Sequence, residues 1–299
     1  LTTPLFTDYA AKHRFVWLPD GTRAEYDPRR PFEFPVGTVI VKTFAYPHDQ
    51  TDPDSREDML ETRLLVHEPD GWVGRPYVWN ENDTDAELKL TGATLDVQGV
   101  QADGTFGMFQ HIVPNANQCK GCHKAFDDVM APIGPTARNL NKDYAYVDGP
   151  ANQLVRWAEL GILAGAPSDP ALAPRNAVFD DPTDGTLEER ARAYLDVNCG
   201  HCHNETGPAR TSGLFLEFDE DDPTHLGRCK QPVAAGRGTG GRSHVVDPGS
   251  PDTSILTFRM ESVDPEIMMP ELGRIRVHDE GVEIVRQWIA EMEGECTLE

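Results

Sequence analysis

Six cysteines constrain this 299-residue chain more than any other feature, because four of them recur in one arrangement. Cys119-Lys120-Gly121-Cys122-His123 is the first instance and Cys199-Gly200-His201-Cys202-His203 the second. C-x-x-C-H is the attachment signature of c-type haem. The spacing has a mechanical reason. Two thiols three residues apart on a helical turn can each form a thioether to one haem vinyl group. The adjacent histidine then faces the iron and supplies its proximal nitrogen. The motifs therefore predict two covalently attached haem c groups. One would be bound by Cys119 and Cys122 with His123 on iron, the other by Cys199 and Cys202 with His203 on iron.

Other uses of paired cysteines fit less well. Two C-x-x-C pairs can share one zinc ion, but Cys199 lies 77 positions after Cys122, against a knuckle spacing of roughly 12–20. Cys-Gly-His-Cys matches a disulfide-isomerase tetrapeptide, yet here it ends a helical pattern instead of following the strand of a βαβ unit. Two ordinary disulfides would leave the histidine after each pair unexplained. Covalent haem is attached outside the cytoplasm, where disulfides persist. The remaining pair, Cys229 and Cys296, is accordingly expected to be oxidised. The chain is expected to be periplasmic or secreted.

Residues 1–113 read as β. Val36–Phe44, Glu61–Val66, Gly71–Trp79 and Glu87–Val97 are rich in β-branched and aromatic residues and are separated by turn residues. Short strands spaced this way predict a β-sandwich or small barrel. Trp72, Tyr77 and Trp79 could form a binding platform, although aromatics in a strand more often belong to a core. The polar loop Asn80–Asp85 could hold Ca²⁺ through oxygen ligands, but lacks the spacing of an EF-hand loop.

After Pro114 the pattern turns helical. Gln153–Leu160 reads as a helix stopped by Gly161. Thr186 and Glu189 form a capping box for a helix reaching about Asn198. Glu280–Met292 carries Val282, Val285, Trp288 and Ile289 on one face. The glycines of 236–241 sit outside any strand–helix unit, which argues against a dinucleotide fingerprint. The expected fold is thus multidomain α+β: a β domain over 1–113, then two mainly α, cytochrome c-like haem modules over 114–180 and 181–297. The chain opens without a basic or apolar leader and reads as mature or trimmed. Leu298 and Glu299 read as a cloning remnant.

Met269-Pro270 precedes the last amphipathic helix, with its late Trp288-Ile289. This resembles the C-terminal half of class I c-type cytochromes. The resemblance implies Met269 as sixth ligand of the second haem, with Met268 as the fallback. The first motif has no such Met–Pro step. Its nearest candidate is Met130, and seven extended residues from His123 reach about 23–25 Å. His111, Met108, His67 and His48 are alternatives from the β domain, and an open coordination position is a third. The stretches VPNANQCKGCH, PIGPTARNLN, RARAYLDVNCGHCH and MMPELGR, with FPVGTVIVKTF and GWVGRPYVWN before them, make the whole chain similar to bacterial di-haem c-type cytochromes with an N-terminal β domain.

Charge narrows the partners. With 50 acidic and 27 basic residues the net charge is -23, which repels phosphate backbones and disfavours nucleic acid. The same surface would steer a redox partner with a basic docking face. No run of about 18 apolar residues is present, so no membrane span is expected. The expected function is electron transfer to or from a redox enzyme, with no catalytic residues assigned. A di-haem peroxidase with an open position at the first haem is the alternative.

Overall fold

A computed structural model of the chain describes residues 1–124 and 129–297. Leu298 and Glu299 lie outside the described residues, as do 125–128 between His123 and Met130. Five antiparallel strands form the main sheet in the order β1-β3-β4-β5-β6, with β1 Ala11–Trp17, β3 Val39–Pro47, β4 Glu57–Glu68, β5 Gly71–Trp79 and β6 Ala86–Leu88. The short β2, Ala24–Glu25, lies outside this sheet. The expected strand Glu87–Val97 is broken in two. Gly92 adopts a φ of +77° and its N–H closes a turn on the Lys89 carbonyl, so β6 ends and β7, Ala93–Val100, begins afresh. A side chain there is excluded twice over, because a Cβ would also stand 2.6 Å from the Val113 carbonyl oxygen. β7 pairs with β8, Phe106–Val113, as a separate hairpin.

The two faces of the main sheet differ in kind. Ile40, Lys42 and Phe44 alternate along β3 onto the inner face, where Phe44 and Tyr46 are almost fully buried with Leu60 and Val97. The β7–β8 hairpin covers one end of this face, with Phe44 against His111 and Tyr46 against Phe109. The outer face leaves Phe15, Trp17 and Val73 exposed. The proposed aromatic platform dissolves. Trp72 stacks on His67 and packs edge-on to Phe34, while the Trp79 indole N–H donates to Thr62.

The helices are α1 Ala116–His123, α2 Ala137–Leu140, α3 Gln153–Glu159, α4 Leu187–Leu195, α5 Ile255–Glu261 and α6 Asp279–Ala290. The hairpin β9–β10, Asp143–Tyr146 and Gly149–Asn152, lies before α3, and β11, Leu163–Ala164, pairs with β2. A β-sandwich or barrel followed by two mainly α haem modules is therefore not the architecture. Strand residues outnumber helical ones, and the six α-helices among the described residues are short, the longest having 12 residues. The physical cause is the punctuation of the chain. Pro132, Pro135, Pro150, Pro167, Pro170 and Pro174 interrupt the stretch after the first motif, and proline in a helix interior costs about 3 kcal/mol. After the second motif, 204–250 forms turns and single 3₁₀ turns, the segment 236–239 among them.

Three bodies of apolar side chains hold the chain together. The largest joins α4, α5 and α6, with Leu195, Val246, Val285 and Ile289 almost wholly inaccessible. A second gathers Phe32, Phe34, Leu140, Leu154 and Leu163 from both halves of the sequence. The N-terminal segment docks onto the C-terminal half. Asp8 accepts from the backbone N–H groups of Ile275 and Arg276, and the Phe6 N–H donates to Asn198. Among the described residues no helix is long and apolar enough to cross a membrane.

Candidate functional site

Asn115 opens α1 with a reciprocal capping box through Gln118. This helix carries the first motif against the inner face of the sheet. It fits because β5 has a glycine there: a Cβ on Gly74 would lie 3.2 Å from Cys119 Sγ. The helix before the second motif begins with the Thr186–Glu189 capping box read from the sequence. It does not run straight to Asn198. After Leu195 the turns widen into a π-helical segment, Asp196–Gly200, that delivers Cys199. Buried Asp196 anchors this segment. It accepts from both Nε and Nη2 of Arg138, from Asn176 and from the Phe218 N–H. Arg138 belongs to α2, so one ion pair ties the chain after the first motif to the chain before the second.

The two motifs meet. Cys202 Sγ lies 3.8 Å from the Gly121 carbonyl oxygen, and a hydrogen bond between the Cys202 and Cys122 sulfurs draws Cys122 below the ordinary thiol range. A single cleft of about 1160 Å³, its open mouth included, is lined by Cys119, Cys122, His123, Cys199 and Met269. Cys202, His203 and Met130 are not among its lining residues. All four motif cysteines are free thiols.

Both motif histidines are held as neutral imidazoles. His123 Nδ1 donates to the Ala131 carbonyl at 2.8 Å, which leaves Nε2 as the lone-pair nitrogen a metal requires. Burial pulls His123 down to about 4, and burial does the same to His203, whose Nδ1 lies 3.4 Å from Ser212 Oγ. Free thiols spaced for attachment, a neutral histidine after each pair and a cleft bordered by Cys119, Cys122, His123 and Cys199 fit haem c. Zinc shared between the motifs fits worse. Among the described residues, the one group of three His, Cys, Asp or Glu ligand atoms within 4.8 Å is His244, Asp247 and Cys296. Cys296 is disulfide-bonded to Cys229 with an S–S distance of 2.10 Å, which leaves that group no thiolate.

The sixth-ligand candidates are scattered. Met269 lines the cleft, next to a cis peptide bond to Pro270. Its loop is held by Arg274, whose Nη2 lies within hydrogen-bond distance of the carbonyls of Arg259, Met260, Ser262 and Met269, 2.8 Å from the last. Met268 is buried. Met130 closes a β-bridge with Lys124 and points its methyl toward Gly74. His111 is bound to Glu61 at 2.6 Å, His67 Nδ1 to the Phe34 carbonyl at 2.9 Å and His48 to Asp58 at 2.8 Å, while Met108 is exposed. Side-chain oxygens of the Asn80–Asp85 loop are engaged by the loop's own backbone and by β4. Asn80 Oδ1 accepts from the N–H groups of Asn82 and Thr84, and Asp83 accepts from the Met59 N–H.

Several cleft residues escaped the sequence reading. Lys42 and Arg63 enter from β3 and β4, His201 from between the cysteines of the second motif, and Phe6 and His278 from the two ends of the chain. The one available signal was charge out of place, since Lys42 sits between Ile40 and Phe44 on an otherwise apolar strand face. His201 Nδ1 is buried with no hydrogen-bond partner. The chain matches no family model, no curated protein and no solved structure.

Proposed function

We propose that this chain is a periplasmic or secreted di-haem c-type cytochrome that passes electrons to or from a redox enzyme. The observation that carries the reading is that Cys119, Cys122 and His123 of one C-x-x-C-H motif and Cys199 and His201 of the other, distant in sequence, line one cleft with Met269. Haem c supplies reversible one-electron iron chemistry when bound. Cys119 and Cys122 would hold one group and Cys199 and Cys202 the other. His123 and His203 would be proximal ligands, each already neutral. Met269 would complete the second site, kept in place by Arg274. The disulfide and the secretory reading agree, and the acidic surface favours a basic docking partner.

The test is covalent stoichiometry. Chain matured in a host that attaches c-type haem should exceed its polypeptide mass by two haems, and acid–acetone should extract neither. A mass one haem short would remove one site, and no covalent haem would remove the reading.

A di-haem peroxidase is the second reading. What favours it is that none of Met130, His111, Met108, His67 and His48 lines the cleft beside His123. Rapid stoichiometric binding of carbon monoxide to the reduced protein, together with peroxide turnover, would select it over the electron carrier.

A further inference from the structure

Three cations stand side by side across the inner face of the main sheet. Arg14 of β1 is directly opposite Lys42 of β3, and Lys42 is directly opposite Arg63 of β4. Residues so paired have Cβ atoms about 4.5–5.5 Å apart, and like charges in that position repel. The next pair on this face holds a carboxylate, Glu61, but it is already engaged by the Arg63 guanidinium and by His111. Among the described residues Lys42 has no carboxylate within ion-pair distance, and its ammonium lies over the Phe44 ring, as does the Arg63 guanidinium. A protein with 50 acidic residues has thus gathered three cations around one carboxylate, which Arg63 occupies, leaving Lys42 without an acid of its own.

The row lies where the first motif docks. Gly74, which receives Cys119, is on the same face, two residues along from the Arg63–Pro76 pair. Lys42 and Arg63 line the cleft together with Cys119, Cys122 and His123. Half-buried cations cost desolvation unless an anion meets them. A group bound at the first motif would bring two carboxylates of its own.

We propose that Lys42 and Arg63, reinforced by Arg14, form a carboxylate-binding site for the two propionates of the haem attached at Cys119 and Cys122. The β-rich N-terminal half then has a defined role, as the charged floor of the first haem site. The proposal rests on the two-haem reading above. It assigns one carboxylate to Nη1 of Arg63, whose Nε and Nη2 already serve Glu61, and the other to the point charge of Lys42.

The experiment is a redox titration of the holoprotein and of Lys42→Gln, Arg63→Gln and Lys42→Arg. A nearby cation favours the reduced iron, so each glutamine variant should lower the potential of one haem and leave the other unchanged. The expected shift is about tenfold in the reduction equilibrium, or about 59 mV for one electron. Lys42→Arg should restore the wild-type value. A two-haem protein whose potentials move in neither glutamine variant would overturn the proposal and leave the electron-carrier reading intact. A wild-type mass without covalent haem would instead defeat both. Succinate added to the wild type should change nothing; a saturable shift would assign the cations to a free carboxylate and overturn the proposal. Should a variant fail to accumulate, infrared spectra of the unmutated protein with ¹³C-labelled propionates decide. Ionised carboxylate bands persisting at pH 5 support the site, and a protonated band there refutes it.

Discussion

A Cβ on Gly74 would stand 3.2 Å from Cys119 Sγ, so β5 and the first motif helix approach more tightly than most side chains would allow. The backbone of Gly74 has no positive φ, and space alone selects glycine there. Gly74→Leu should therefore cost about 1–3 kcal/mol through overpacking and displace Cys119 from the cleft. Intact mass of the variant should reveal a one-haem species, whereas Gly74→Ala should retain both groups. Full loading of the leucine variant would show that α1 docks elsewhere.

Met269 and Arg274 make a second linked pair. Met269→Ala should abolish the near-infrared sulfur-to-iron charge-transfer band of one haem and lower the potential of that haem alone. Arg274→Met leaves Met269 in the chain but removes the side-chain donor from the carbonyls of Met260, Ser262 and Met269, while the Arg259 carbonyl keeps the Met269 N–H. Each buried orphan costs about 1–3 kcal/mol, so denaturant melts should register a loss of about 3 kcal/mol or more. The same band should weaken, which a purely structural role distant from Met269 would not produce.

His278 predicts an acid-sensitive fold. Its ring stacks on Phe6 at 4.1 Å and is surrounded by Tyr9, Phe179 and Tyr194. Burial lowers it from 6.5 to about 4, with Glu280 opposing the shift and Lys12 adding to it. The unfolded chain then binds a proton that the folded one refuses between about pH 6.5 and pH 4. Stability from this group is complete above pH 6.5 and is lost as the pH falls through that window, up to a limit on the order of 3 kcal/mol. His278→Phe should flatten this limb of the stability profile. An unchanged acid limb in the variant would place the proton uptake on another group.

The Cys229–Cys296 bridge spans 67 residues of sequence and ties the end of the chain beyond α6 back to the loop after the second motif. By loop-closure entropy it contributes about 4 kcal/mol. Non-reducing peptide maps should recover Cys229 joined to Cys296, and the double alanine variant should melt earlier by a corresponding amount. Recovery of both as free thiols after secretion would contradict the pairing.

The chemistry of this protein was legible along the chain because it depends on local spacing. Two C-x-x-C-H runs, the Met269-Pro270 step, the Thr186–Glu189 capping box and the amphipathic face of α6 are each set by residues a few positions apart. The β character of the first 113 residues was readable for the same reason, since alternation in a strand needs no distant partner. The layout of the remainder was not. Helical modules were expected from the motifs, but proline and glycine punctuation after each motif allowed only short helices, and that competition is settled by packing. The meeting of Cys202 with Gly121, the anchoring of Asp196 by Arg138 and the Arg14–Lys42–Arg63 row all join residues far apart in sequence. Cross-strand register and tertiary docking create these relationships, because the field at a side chain comes from neighbours that only the folded chain supplies.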